Sequence, residues 1–173
     1  MTLVLQTERL ILREATVDDA PAYALGIGEY EVARYLTSVP YPYTLAMATD
    51  WLRQAPAATA ERPMLLIELP GKDVIGCVTI IGELGYWIAR RHWNRGYATE
   101  AASALIDWHF ARGSAETVTS SAQNDNHASL AVLRKLGFVP TGREKRFSQA
   151  LQHNVEHVVS RLGRHDWQER RRR

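Results

Sequence analysis

The chain has 173 residues, 46% of them apolar and 23% charged, with a net charge of +2. This composition fits one globular domain with a sizeable core and excludes a disordered or fibrous chain. There is no run of about 20 apolar residues to span a membrane and no secretory pattern at the start. Cys77 stands alone, so an internal disulfide is excluded, and a soluble, cytoplasmic protein is the expected setting. The charge is uneven: residues 164–173 hold five arginines against Asp166 and Glu169, a local net of +3 that leaves −1 for the rest. The run Arg170–Arg173 is compatible with nucleic acid, but reads first as a frayed, solvated end. The expected layout is therefore one domain over residues 1–167 and a basic tail over 168–173.

Leu3 to Glu14 reads as a strand, with Leu10, Leu12 and Glu14 on one face and Ile11 and Arg13 on the other. Thr16-Val17-Asp18-Asp19 offers a hydroxyl cap and early acids, predicting helices over 18–25 and 29–35. Pro40-Tyr41-Pro42-Tyr43 breaks the chain, and Thr44 caps a helix to Gln54. The apolar runs Met64 to Leu69 and Val74 to Ile81 flank the turn residues Pro70-Gly71-Lys72-Asp73 and form a hairpin. A third strand, Glu83 to Ala89, follows Gly82. Tyr97 to Arg112 is helical, with Ala98, Ala101, Ala102, Leu105 and His109 on one face and Gly113 as its stop. Glu116 to Ser121 alternates as a strand, Asn126 to Leu136 is a helix ended by Gly137, and strands 138–147 and 154–162 close the chain. The order predicts an α+β fold with a mostly antiparallel sheet covered by helices.

Chemistry concentrates in Gly85-Tyr86-Trp87-Ile88-Ala89-Arg90-Arg91-His92-Trp93-Asn94-Arg95-Gly96-Tyr97-Ala98-Thr99-Glu100-Ala101. A strand enters a loop, and the loop opens a helix at Gly96. Free backbone N–H groups and the positive helix end meet there, which suits an anion such as a pyrophosphate. Gly96 admits close approach of a ligand, Ala98 keeps the first turn small, and Arg90, Arg91 and Arg95 add positive charge. A tight turn before an ordinary amphipathic helix has the same features. A second segment, Asn124 to Phe138, holds a polar loop, a helix and a Gly-Phe entry into a strand. Asn126 caps that helix, and Ser129 lies one turn further along the same side.

Together the two segments resemble the GNAT acetyltransferase superfamily, and within it the RimJ/RimL-like branch of ribosomal-protein-alanine N-acetyltransferases. Thr7-Glu8-Arg9-Leu10-Ile11-Leu12-Arg13 is similar to that branch's opening strand. Gly85-Tyr86-Trp87-Ile88 with Trp93 to Ala101 resembles its acetyl-CoA strand and pyrophosphate loop. Asn126-His127-Ala128-Ser129 resembles its Asn-x-x-Ser helix, and Asp166-Trp167 its ending. Trp93 departs from the Gln or Arg often found three residues before the glycine. Leu133 stands where many members carry a tyrosine acid, which excludes that acid here. The connection from Ile81 to Glu83 is short for the branch.

The resemblance implies a GNAT fold, a mixed sheet flanked by helices, and an acyltransferase that uses acetyl-CoA as co-substrate. It implies direct attack of a neutral amine on the thioester, without an acyl-enzyme. The implied cofactor contacts are Trp87, Ile88, Ala89, Asn94, Arg95, Gly96, Tyr97, Ala98, Thr99, Asn126 and Ser129. Backbone N–H groups around Trp87 and Ile88 would hold the pantetheine and the thioester carbonyl. The implied catalytic residues are Glu83, as proton acceptor from the amine, and Ser129, as hydrogen-bond donor to the leaving sulfur; as a bare sequence feature Glu83 is also an ordinary hairpin-edge acid. The acceptor expected is a protein or peptide N-terminal α-amine, with a small amine (aminoglycoside or polyamine) or a non-catalytic CoA-binding module as alternatives. No metal site, no membrane and no nucleic-acid partner are expected, and the chain is read as a monomer or homodimer. Cys77 reads as a buried hydrophobe, and Tyr41, Tyr43 and Trp51 as core aromatics or pocket walls.

Overall fold

The computed structural model describes residues 3–55, 57–71 and 73–172. The opening segment is not one strand but two. β1 (Val4–Gln6) and β2 (Ile11–Arg13) pair antiparallel with Val4 opposite Arg13. Between them the Thr7 backbone N–H bonds the Leu10 carbonyl at 3.0 Å, and the Thr7 hydroxyl accepts from the Leu10 N–H at 3.0 Å. The turn uses neither Gly nor Pro, so the alternation of residues 10–13 reads as a continuation of what precedes it.

Thr16 and Asp19 form a reciprocal cap over the 3-10 turn Val17–Asp19. That turn delays α1 to Ala20–Ile27. α2 is a single turn, Tyr30–Ala33, and α3, Leu45–Gln54, starts on Thr44, whose hydroxyl accepts from the Met47 N–H at 3.2 Å. β3 (Met64–Glu68), β4 (Val74–Ile81) and β5 (Glu83–Ile88) form an antiparallel meander. The turn expected at Pro70–Asp73 includes Lys72, which lies outside the described residues. Gly82, with φ +78°, carries the one-residue link into β5. α4 (Tyr97–Arg112), β6 (Thr117–Gln123), α5 (His127–Leu136), β7 (Val139–Ser148) and β8 (His153–Gly163) follow the expected order to within two residues at each end.

The eight strands lie in the order β1-β2-β3-β4-β5-β6-β8-β7. Among the described residues only β5 and β6 are parallel. One face carries the core under α4 and α5, with Leu84, Ile88, Leu105, Ile106, Ala122 and Leu133. The other carries Tyr23, Ile27, Leu52, Cys77 and Trp87 under α1 and α3. A Cβ on Gly26 would lie 2.7 Å from the Trp87 ring, so only glycine lets α1 sit this close to β5.

The basic end is not frayed. Arg164–Arg172 is a helix, α6; Arg173 lies outside the described residues. Trp167 is buried and donates its indole N–H to Asp107 Oδ1 at 2.8 Å, and Arg171 pairs with Asp107 Oδ2 at 2.6 Å. Arg170 donates to the Lys135 carbonyl at 2.8 Å. The anchoring carboxylate sits on α4, 60 residues before Trp167, so the local run of arginines carries no sign of it. Among the described residues no helix is long and apolar enough to cross a membrane.

Candidate active site

β5 and β6 pair in register at Leu84 and Ser120, where the Ser120 hydroxyl also donates to the Leu84 carbonyl at 2.8 Å. Beyond that point the strands part. β5 follows β4 out to the Gly76–Ile88 pair, and β6 follows β8 to the Gln123–His157 pair. A gap opens in the sheet between residues 85–88 and 121–123. The Ala89 N–H bonds the Ile75 carbonyl at 2.8 Å, so strand alternation turns the Trp87 amide toward β4 and the Tyr86 and Ile88 amides toward the gap. Of the two amides expected to hold the pantetheine, Ile88 therefore faces the opening and Trp87 faces the ladder.

The loop past β5 closes one end of the gap. Asn94 (φ 59°) and Gly96 (φ +79°) are both left-handed and bracket Arg95. This winding leads into the N-terminus of α4 at Tyr97, an arrangement of backbone amides suited to an anion. Trp93, the departure from the family pattern, donates its indole N–H to the Ile88 carbonyl at 2.6 Å and ties the loop to the strand.

The loop also rests on the opening hairpin. Glu100, in the first turn of α4, accepts from the Thr7 hydroxyl (2.6 Å), the Arg9 N–H (2.9 Å) and Arg9 Nε (2.7 Å). Arg9 Nη1 reaches the Arg95 carbonyl at 2.9 Å, and its guanidinium lies 4.8 Å over the Tyr97 ring. Thr7, Arg9 and Glu100 were absent from the expected site, although all three lie within the segments that carry the family resemblance.

The two faces of the gap differ. On the α5 face, Asn126 Oδ1 accepts from the Ser129 N–H at 3.1 Å, the expected cap. Ser129 Oγ lies 2.8 Å from the Tyr86 hydroxyl, which reaches across from β5. On the opposite face stands Glu83, with the same strand parity as Trp87. Its carboxylate accepts from Arg146 at 2.9 and 2.7 Å and from Ser121 Oγ at 3.3 Å. The Arg146 guanidinium holds Glu83 below the usual carboxylate range. Three of about four lone-pair positions are thus in use, and one is open.

His157 lies on that face too, 2% exposed, with its imidazole lowered first by burial and then by Arg146. Leu133 is 2% exposed within the core, and burial pushes the Cys77 thiol up to about 12, far from a nucleophile's range. Tyr43 packs toward Tyr23 in the second core, whereas Tyr41 and Trp51 are exposed.

The sheet thus splits beside a glycine-opened helix start, with polar side chains on both faces of the split. The chain belongs to the GNAT acetyltransferases: residues 9–139 match the acetyltransferase (GNAT) domain, and the protein is an acyltransferase. It is 25% identical over 157 residues to the uncharacterized N-acetyltransferase p20 of Bacillus licheniformis, across 84% of this chain and 88% of that one. The solved ribosomal-protein-S5-alanine acetyltransferase of Vibrio fischeri shares the fold with a TM-score of 0.79 at 18% identity, over 95% of this chain and 98% of that one. RimL, a ribosomal L7/L12 α-N-protein acetyltransferase solved with coenzyme A, superposes with a TM-score of 0.77 at 17% identity, over 93% and 98% of the two chains.

Proposed function

We propose that this enzyme moves the acetyl group of acetyl-CoA onto the α-amine of a protein or peptide. The observation that carries the reading is the gap between β5 and β6, with Glu83 on one face and Ser129 with Tyr86 on the other. The pyrophosphate occupies the amides of Asn94 to Thr99, and the pantetheine runs along Tyr86 to Ile88, with Ala89, Asn126 and Ser129 completing the wall. β5 is about 17 Å long from Glu83 to Ile88, which suits an extended pantetheine arm.

The amine enters from the Glu83 face. Its nitrogen attacks the thioester carbon, a C–N bond forms, the C–S bond breaks, and the electron pair leaves on sulfur. The open lone-pair position of Glu83 receives the amine and then its proton. Because Arg146 weakens Glu83 as a base, it acts best on the acidic ammonium formed after attack. A backbone N–H at the gap stabilises the oxyanion. On the far face the Ser129 hydroxyl meets the departing sulfur.

An α-amine, with an unperturbed pKa of about 7.7–8.0 against about 10.4 for lysine, is partly neutral at pH 7 and needs only such a weak base. The two superposed ribosomal-protein acetyltransferases support this acceptor class. So does the scarcity of acids, Glu29 and Glu31 alone, between residues 25 and 44. Acetyl-CoA turnover against peptides with free α-amines, polyamines and aminoglycosides tests it. Peptides should turn over with the highest kcat/KM; turnover of the polycations with none of the peptides refutes the peptide reading.

A further inference from the structure

Ser129 is the third residue of α5, in the first turn, where no earlier helical turn offers its hydroxyl a carbonyl. Here it meets a phenol from the neighbouring strand instead. Tyr86 alternates with Leu84 and Ile88, so its ring enters the core under α4 and α5, and the ring packs against that core. Its hydroxyl donates at 3.3 Å to the Ser129 carbonyl and lies closer, at 2.8 Å, to Ser129 Oγ, where either oxygen can be the donor. This contact crosses from β5 to α5 beside the gap, and it joins two groups that the chain order separates by 43 residues. Tyr86 is also one of the two β5 residues whose backbone amide faces the gap.

Resting on the acetyl-transfer reading above, we propose that Tyr86 is a positioning residue for the leaving sulfur: its phenol donates to Ser129 Oγ and so leaves the single Ser129 proton directed at the thiolate. Two hydroxyls in series polarise one another, so the terminal donor is stronger than an isolated serine. Burial pushes the Tyr86 phenol up to about 12, so it keeps its proton, and with it the capacity to donate, through the neutral range. No proton is transferred along the chain. The thiolate is held by the hydrogen bond and takes its proton from water on release. This arrangement supplies, from the strand side, help for the leaving group that Leu133 cannot give.

The test uses the full chain and coenzyme A alone, so the acceptor need not be known. Coenzyme A carrying an isotope label on the carbon next to sulfur reports thiol ionisation by NMR as pH is raised. Cys77, at about 12, stays silent over most of the range. In the native protein the bound thiol should titrate about one pH unit or more below free coenzyme A, through the hydrogen bond and the start of α5. Tyr86→Phe, which keeps the ring, should return at least half of that shift. Ser129→Ala should do the same, the double variant should add little more, and Ser129→Thr should retain the native value. If Tyr86→Phe titrates like the native protein while Ser129→Ala does not, Tyr86 is only core filling and the proposal is overturned. If Tyr86→Phe does not fold, Tyr86→Met takes its place with the same two readings; a native titration there also overturns the proposal. Coenzyme A that binds with a normal thiol in every variant overturns it too and leaves the acetyl-transfer reading standing. Failure of the native protein to bind coenzyme A removes both.

Discussion

The two ends of the β5–β6 gap are built by different means. The loop end is made almost entirely by one stretch, residues 88–100, with its winding set by Asn94 and Gly96 and its anchor at Trp93. The Glu83 end is assembled from distant pieces. Arg146 arrives from β7, Ser121 from β6 and His157 from β8, and the Gln123 side chain donates to the Arg34 carbonyl at 2.8 Å. At the loop end the backbone is the binding surface and its winding is set locally, with the opening hairpin bracing it through Thr7 and Arg9. At the Glu83 end side chains do the work, and their meeting depends on the order of strands in the sheet. Variants at the two ends should therefore fail in different ways.

The largest effect is expected at the Glu83 end. Glu83→Gln should lower turnover near neutral pH by about 10²-fold, the low end of the range for general-base help, with coenzyme A affinity unchanged. The loss should shrink as pH rises and the amine deprotonates in solution. The same pair gives a stability signature. Glu83 is held below its ordinary range by Arg146, so the contribution is present above the unfolded carboxylate range and is lost as pH falls through the lower, folded value. Melting curves of native protein and Glu83→Gln should differ at neutral pH and converge in acid; an intact neutral-pH rate makes Glu83 a structural acid only.

Gly96→Glu should do the reverse. It forces a side chain and a negative charge into a left-handed position at the anion site. Calorimetry should read roughly a tenfold or greater loss of coenzyme A affinity in a folded protein. Unchanged affinity would move the cofactor elsewhere and erase the contrast between the two ends.

The smallest effect lies outside both ends. Removing residues 170–173 leaves Trp167 in place but takes away the Arg171–Asp107 pair, in which Arg171 is half-exposed, and the exposed Arg170 bond to the Lys135 carbonyl. Such pairs contribute about 0.2–1 kcal/mol, so the melting temperature should fall by about 1–3 °C while acetylation rates stay nearly unchanged. A large loss of rate would tie α6 to the chemistry.

The same contrast accounts for what could be read in advance. The α4 start at Gly96, the Asn126 cap and the helix ending at Gly137 are local events, written in neighbouring residues, and the structure follows them closely. The opening hairpin was missed because Thr7 closes it with its own hydroxyl and without a glycine or proline. Arg146 carried no signal at all. It reaches Glu83 from β7, which stands at the sheet edge beyond β6 and β8, and nothing local in residues 139–148 encodes that meeting. The anchored α6 was hidden for the same reason, since its partner Asp107 belongs to a different helix.

One contact has a bearing on how such a chain can change by mutation. Glu100 is held by Thr7 and Arg9, and Arg9 in turn holds Arg95. Reversing the pair is not an equivalent solution, because an arginine at position 100 would sit in the first turn of α4, where the helix end already bears positive charge, and a glutamate at position 9 could not donate to the Arg95 carbonyl. Positions 7, 9 and 100 thus form a one-way lock, in which a change at position 100 leaves the donors at positions 7 and 9 without their acceptor.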